Sequence, residues 1–302
     1  MKKSILLIGL IGLISLTGCK KEEQVANNQF TATIENPSKT YLNLSNDGTI
    51  KVTWKAGDEV SINGVKYTAT NISSDGLTAT LVGGEVTPNT GRGALGDVPP
   101  YQAYYPYDGL KVEEIPPIPE LNFPGGIFRT PFLPYTQTYY PNNEVHAPMY
   151  CQFDGPTFTM YNLCGILMLN LQATGKSIRS ITVTADEDGY HNPRYLSGDC
   201  AFAHGSPGDP DYLSMNDNQS KSVTLDCGTS VVSINSPANF FIYLPPADYA
   251  TLVLTFTATD GTVCTKSFVP DANHERFTVQ RAKYHPLTFS NLTFTTPSAD
   301  SK

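Results

Sequence analysis

Charge is scarce in this chain: only 16% of its 302 residues are Asp, Glu, Lys or Arg, and 20 basic residues face 28 acidic ones. A formal charge of −8 offers no electrostatic footprint for a phosphate backbone, which excludes nucleic acid as a partner. Motifs that carry chemistry are missing as well. The five histidines (His146, His191, His204, His274, His285) never stand three or four residues apart, there is no HExxH or GxSxG, and no two cysteines have CxxC spacing. The acidic clusters Asp186-Glu187-Asp188 and Asp209 with Asp211 lack the alternating spacing of a calcium loop and read as solvated turns. No nucleophile, metal set or pair of catalytic acids stands out, so no catalytic residue, no metal and no diffusible cofactor is expected, and the chain reads as a non-enzyme.

Helical periodicity is absent too. Past the first 18 residues no window of ten or more carries apolar residues at i, i+3, i+4 and i+7. The one long apolar run, Ile5 to Leu16, covers 12 residues, short of the roughly 20 that cross a bilayer as a helix. With Lys2 and Lys3 before it and Leu16-Thr17-Gly18-Cys19 after it, the run has the layout of a secretory signal over residues 1–18. Leu-Thr-Gly-Cys also resembles the lipobox of bacterial lipoproteins, which implies cleavage before Cys19 and attachment of diacylglycerol and an N-acyl chain to that residue. Several acyl chains, each methylene contributing about 0.8 kcal/mol, make a durable anchor in the outer membrane. Lys20-Lys21-Glu22-Glu23 is similar to the signal that sends some Bacteroidetes lipoproteins to the cell surface. Loss of Lys2 and Lys3 takes the formal charge from −8 to −10. Residues 19–29 then form a lipidated Cys and polar tether.

What is present is alternation. Ile50, Val52, Trp54; Leu77, Ala79, Leu81; Ile181, Val183; Phe241, Tyr243; and Leu252, Leu254, Phe256 mark short strands, separated by Asn63-Gly64, Asp75-Gly76, Asp154-Gly155 and Asp260-Gly261. A two-residue turn at Asn63-Gly64 sets Ile62 opposite Val65 and Val60 opposite Tyr67, giving one wholly apolar face. At Asp260-Gly261 a three-residue loop of Thr259, Asp260 and Gly261 is preferred, because it sets Phe256 opposite Cys264 and Leu252 opposite Phe268. That register aims Cys264 into the core as an unpaired thiol. Cys151, Cys164, Cys200, Cys227 and Cys264 read either as small core residues throughout or as including one disulfide, for which Cys200 with Cys227 is the pair, since their flanks LSGDCAF and VTLDCGT both read as strands.

Twelve of the 23 prolines fall between Glu85 and Pro148, and each removes a backbone donor, so this stretch is expected to contain no central strand and to be mostly ordered loop or edge. It also holds Tyr104, Tyr105, Tyr139 and Tyr140, which read either as a glycan-contacting patch or as the local core of an excursion poor in aliphatic residues. The domain boundary is placed near residue 146: an N-terminal β domain over 30–146, a C-terminal one over 147–294 and a polar tail over 295–302.

The serial order of VTWKAGDEVSINGVKY (52–67), YQAYYPY (101–107), LPYTQTYYP (133–141), FTMYNLCGILMLNL (158–171), SIRSITVTAD (177–186), LSGDCAF (196–202), FFIYLPPADYATLVLTF (240–256) and AKYHPLTF (282–289) behind a lipobox resembles the fimbrillin-like lipoproteins of Bacteroidetes. The resemblance implies an all-β chain of two tandem transthyretin-like β-sandwich domains and a role as stalk, anchor or tip subunit of a surface pilus, with adhesion to host or glycan ligands. It implies other fimbrillin subunits as partners by strand addition, in which main-chain bonds along a sheet edge give affinity and alternate side chains give specificity. In stalk subunits of this family a protease cuts after an arginine and removes the first strand. The first arginine here is Arg92, and a cut there would release more than one strand, so an uncut, lipid-held anchor or accessory subunit fits the sequence better.

Overall fold

A computed structural model describes residues 29–35, 52–88, 92–93, 96–97, 101–107, 110–115, 126–141, 145–185, 195–203, 212–215, 219–268 and 276–297. The expected signal over residues 1–18, Cys19 and both acidic clusters lie outside the described residues. The strands, in chain order, are β1 (Gln29–Ile34), β2 (Glu59–Ile62), β3 (Val65–Thr70), β4 (Thr78–Gly83), β5 (Arg92–Gly93), β6 (Gly96–Asp97), β7 (Tyr101–Tyr105) and β8 (Leu110–Ile115). They continue as β9 (Gly126–Leu133), β10 (Thr136–Thr138), β11 (Met149–Phe153), β12 (Thr157–Asn162), β13 (Gly165–Leu171), β14 (Ser177–Ala185), β15 (Gly198–Ala203) and β16 (Tyr212–Met215). The last are β17 (Ser222–Asp226), β18 (Val232–Ser233), β19 (Ala238–Leu244), β20 (Ala247–Tyr249), β21 (Leu252–Ala258), β22 (Val263–Phe268), β23 (Phe277–Val279) and β24 (Tyr284–Phe289). The expected all-β class holds among the described residues.

The first half departs from an open sandwich. Strands β1-β12-β11-β7-β2-β3-β4 form a closed barrel, sealed where β1 pairs antiparallel with β4 and parallel with β12. Closure removes the free edges that a sandwich would present. The β2–β3 hairpin follows its loop arithmetic, with Ile62 opposite Val65 and Val60 opposite Tyr67. Asn63 and Gly64 have φ of 46° and 83°, the left-handed pair that a primed turn needs. Val60, Ile62 and Tyr67 are fully buried.

The second half is a two-sheet sandwich. Strands β10-β17-β14-β21-β22 form one sheet, β19-β13-β24 the other, and Leu167, Leu169, Phe240 and Ile242 meet Ile181, Val183, Leu254 and Phe256 between them. The β21–β22 hairpin has Phe256 opposite Cys264 and Leu252 opposite Phe268, with Gly261 at φ 82°. Leu292 is buried and Leu287, Phe289 and Phe294 pack on this core, so the C-terminal apolar residues belong to their own domain.

Strand β13 explains how the halves join. Ile166 and Met168, with Phe241 and Tyr243 of β19, belong to the barrel core, while Leu167, Leu169 and Leu171 belong to the sandwich core. A strand covered on both faces reads as a continuous apolar run rather than an alternation, which is the pattern of Ile166-Leu167-Met168-Leu169.

Four expectations need correction. The boundary near 146 falls too early, since β11 and β12 complete the barrel and the change of sheet comes between Asn162 and Gly165. The Pro-rich stretch does hold a central strand: β7 sits between β11 and β2, free of proline within and bracketed by Pro99-Pro100 and Pro106. The rest of that stretch supplies β8 and β9, which join β15 and β16 in a four-stranded sheet. Trp54 is buried but lies in no strand, its backbone N–H donating to the Gly76 carbonyl at 2.8 Å. And Cys200 and Cys227 are free thiols buried in separate clusters. The antiparallel bridge of Ser197 with Ser220 carries the two cysteines in opposite directions along the ladder.

Burial pushes the thiols of Cys200 and Cys227 up to about 12, leaving no reactive thiolate at neutral pH. On the Cys19→Ala chain, a thiol titration is expected to find all five cysteines after unfolding and none in the native protein. A count of three after unfolding would restore the disulfide.

Candidate functional site

Two features have the geometry of contact sites. The first is the slot occupied by β1. Every second residue of this strand points inward, and Phe30, Ala32 and Ile34 are at most 2% exposed. The Phe30 ring is the hub of the barrel's aromatic core, meeting Tyr67, Tyr101, Phe153 and Phe158 edge-on at centroid distances of 5.4, 5.4, 5.5 and 6.2 Å. Beyond the strand, Glu35 makes a clasp. Its Oε1 accepts from Arg281 Nη1, from the Asn162 backbone N–H at 2.6 Å and from Asn162 Nδ2 at 3.4 Å. Arg281 Nη1 also donates to the Asn162 carbonyl at 2.9 Å. The ion pair keeps 14% exposure on Glu35 and 22% on Arg281. It ties the end of β1 to the loop before β24, so the barrel-closing strand is fastened to the second half of the chain. The sequence gives no sign of this pair, whose partners stand 246 residues apart.

Arg92, the first arginine and the one at which a family-type cut would fall, lies in the two-residue ladder of β5 with β6. Since β1, β2, β3 and β4 all precede it, a cut there would separate four of the seven barrel strands from the rest.

The second feature is a cleft of about 610 Å³ where the barrel meets the sandwich. Tyr104, Tyr105, Tyr139 and Tyr140 all line it, together with Asp58, Glu59, Lys66, Tyr107, Gln137 and His146. The rings of Tyr104 and Tyr105 are core residues, 2% and 5% exposed, so for these two the local-core alternative applies. Tyr107, Tyr139 and Tyr140 are half-buried at the wall. The Tyr105 hydroxyl lies 2.5 Å from His146 Nδ1 and donates to Asp58 Oδ1 at 3.5 Å, and the Tyr140 ring lies 4.2 Å from the His146 ring. Burial raises the Asp58 carboxyl above its ordinary value, opposed by the Lys55 backbone N–H and by the nearby charge of His146. Lys66 is held by Glu59 at 2.8 Å and lies 4.7 Å above the Tyr107 ring. Gln137 is fully committed to structure: its side-chain amide donates to the Tyr243 carbonyl and accepts from the Tyr243 N–H, acting as a substitute strand on the edge of β19. Sequence reasoning located the tyrosines and missed Asp58 and His146, whose roles depend on a fold contact between residues far apart. Among the described residues no group of His, Cys, Asp and Glu is placed to hold a metal ion.

No family model and no curated protein matches the chain. Among solved structures it is similar to a "putative cell adhesion protein" from Bacteroides ovatus ATCC 8483, at 12% identity over 89% of this chain and 95% of that one, with a TM-score of 0.41. A second protein of that description, from Bacteroides fragilis NCTC 9343, is similar at 10% identity over 91% and 99% of the two chains, with a TM-score of 0.39. The tip fimbrial protein Mfa3 from Porphyromonas gingivalis, truncated at its C-terminus, is similar at 9% identity over 88% and 97%, with a TM-score of 0.33.

Proposed function

We propose that this chain is a non-enzymatic surface lipoprotein of the fimbrillin type, held in the outer membrane through acylated Cys19 and acting in pilus anchoring or assembly, and so in adhesion, by β-strand addition. The observation that carries this reading is β1. It is the first strand among the described residues, it is paired along both edges, and its inward side chains fill the barrel. A terminal strand of that kind defines a slot that a strand from another subunit can occupy, with main-chain bonds on both sides and pockets at alternate residues. With β1 in place the slot is filled by the chain's own residues, as suits an uncut anchor or accessory subunit better than a stalk subunit. The resemblance of the ordered motifs to fimbrillin-like lipoproteins supports the same assignment.

Membrane fractionation and surface proteolysis test the anchor and the location together. Wild-type chain is expected in the outer membrane and open to external protease, and affinity capture is expected to recover pilus subunits. Cys19→Ala is expected to leave the membrane fraction. Retention of that variant in the membrane, or capture without any pilus subunit, contradicts the proposal.

A further inference from the structure

The tyrosine-lined cleft is lined by no residue of β1 and by none of the rings around Phe30, and its lining has a chemistry of its own. We infer that it is a binding site for a neutral oligosaccharide, seated against the phenol rings of Tyr107 and Tyr140 and hydrogen-bonded through its hydroxyls to Asp58. The cleft, at about 610 Å³, falls within the range of roughly 300–1,000 Å³ in which small-molecule sites lie. A pyranose ring has an apolar C–H face and a rim of hydroxyls, and so needs flat apolar surface beside short hydrogen-bond acceptors. Tyrosine supplies the first with a polar tip attached, and both rings are half-buried on the wall rather than sunk in the core.

Asp58 supplies the second. The carboxylate is anchored through Oδ2 by the Lys55 backbone N–H at 2.8 Å and approached at Oδ1 by the Tyr105 hydroxyl at 3.5 Å, a distance that leaves Oδ1 lone-pair capacity for a ligand hydroxyl. Tyr105 is itself fixed by His146, whose ring stacks on that of Tyr105 and meets the Tyr140 ring at a tilt of 35°, so acceptor and platform are oriented by one connected set of side chains. The charge of the lining sets the ligand's charge. Lys66 is paired with Glu59, and Asp58 lies beside the site, so an anionic sugar would meet the two carboxylates with no second lysine among the described lining residues to offset them. This inference stands independently of the strand-addition reading.

The test is affinity electrophoresis and calorimetry of the full chain with maltoheptaose, cellohexaose, mannohexaose and chitohexaose, with heparin as the anionic comparison. Saturable binding to at least one neutral probe is expected, weakened about tenfold in Tyr140→Ala and in Asp58→Asn, since stacking and a charge-assisted hydrogen bond each contribute on that scale. Tyr105→Phe, which keeps the buried ring and removes only the hydroxyl, is expected to weaken binding while leaving the thermal melt in place, separating a site effect from misfolding. Absence of binding to all four neutral probes, equal binding by the three variants, or binding confined to heparin overturns the inference.

Discussion

Phe30→Ala is expected to lower the unfolding free energy by about 3–5 kcal/mol, the range for truncating a buried phenylalanine. The ring is 1% exposed and touches four other aromatic rings, so its removal leaves a cavity that no single neighbour can fill. The position matters as much as the volume. Phe30 sits on the strand that closes the barrel, and domains have only about 5–15 kcal/mol in total, so the loss threatens closure itself. Urea unfolding followed by near-ultraviolet circular dichroism reads the aromatic core directly. Because β13 belongs to both cores, the two halves are expected to melt together; a variant that loses the barrel signal while the sandwich unfolds at its original midpoint would show that the shared sheet does not couple them.

Arg281→Ala carries the second large effect, a loss of about 3 kcal/mol, the lower end for breaking a buried ion pair because Arg281 keeps some exposure. Most of that loss comes from Glu35, left buried with a charge and one donor fewer. A double variant, Glu35→Leu with Arg281→Met, is therefore expected to recover much of the stability, as apolar replacements of buried pairs often do. Equilibrium unfolding of Glu35→Leu, of Arg281→Met and of the double variant, each against the wild-type chain, makes a cycle. If the single losses simply add, the clasp is not a pairwise interaction and β1 is held by its ladders and core side chains alone.

Local rules carried part of this far. The turns at Asn63-Gly64 and Asp260-Gly261 could be registered in sequence because only one loop length puts apolar residues on one face. Loop arithmetic says nothing, however, about which sheet a strand joins. Met149–Phe153 and Thr157–Asn162 alternate as strands of the second half do, yet pair with β7 and β1 of the first. Proline counting misled at β7, because prolines at a strand's ends leave its interior donors intact. The convergence of Tyr104, Tyr105, Tyr139 and Tyr140 on one cleft was legible as clustering in the chain, but the burial of the first two rings was not. Contacts between distant charges, such as Glu35 with Arg281, leave no local trace.

The strand-addition account meets its most direct test in an exchange experiment on the β1 slot. A protease site introduced between residues 36 and 51 allows the chain to be cut behind β1 without removing it. The nicked protein is then incubated with excess fluorescent peptide QFTATIE, the sequence of residues 29–35. The account predicts slow, saturable uptake of the peptide in place of the resident strand, abolished when the peptide carries alanine at the Phe30 position. A nicked barrel that stays folded and takes up no peptide would contradict it.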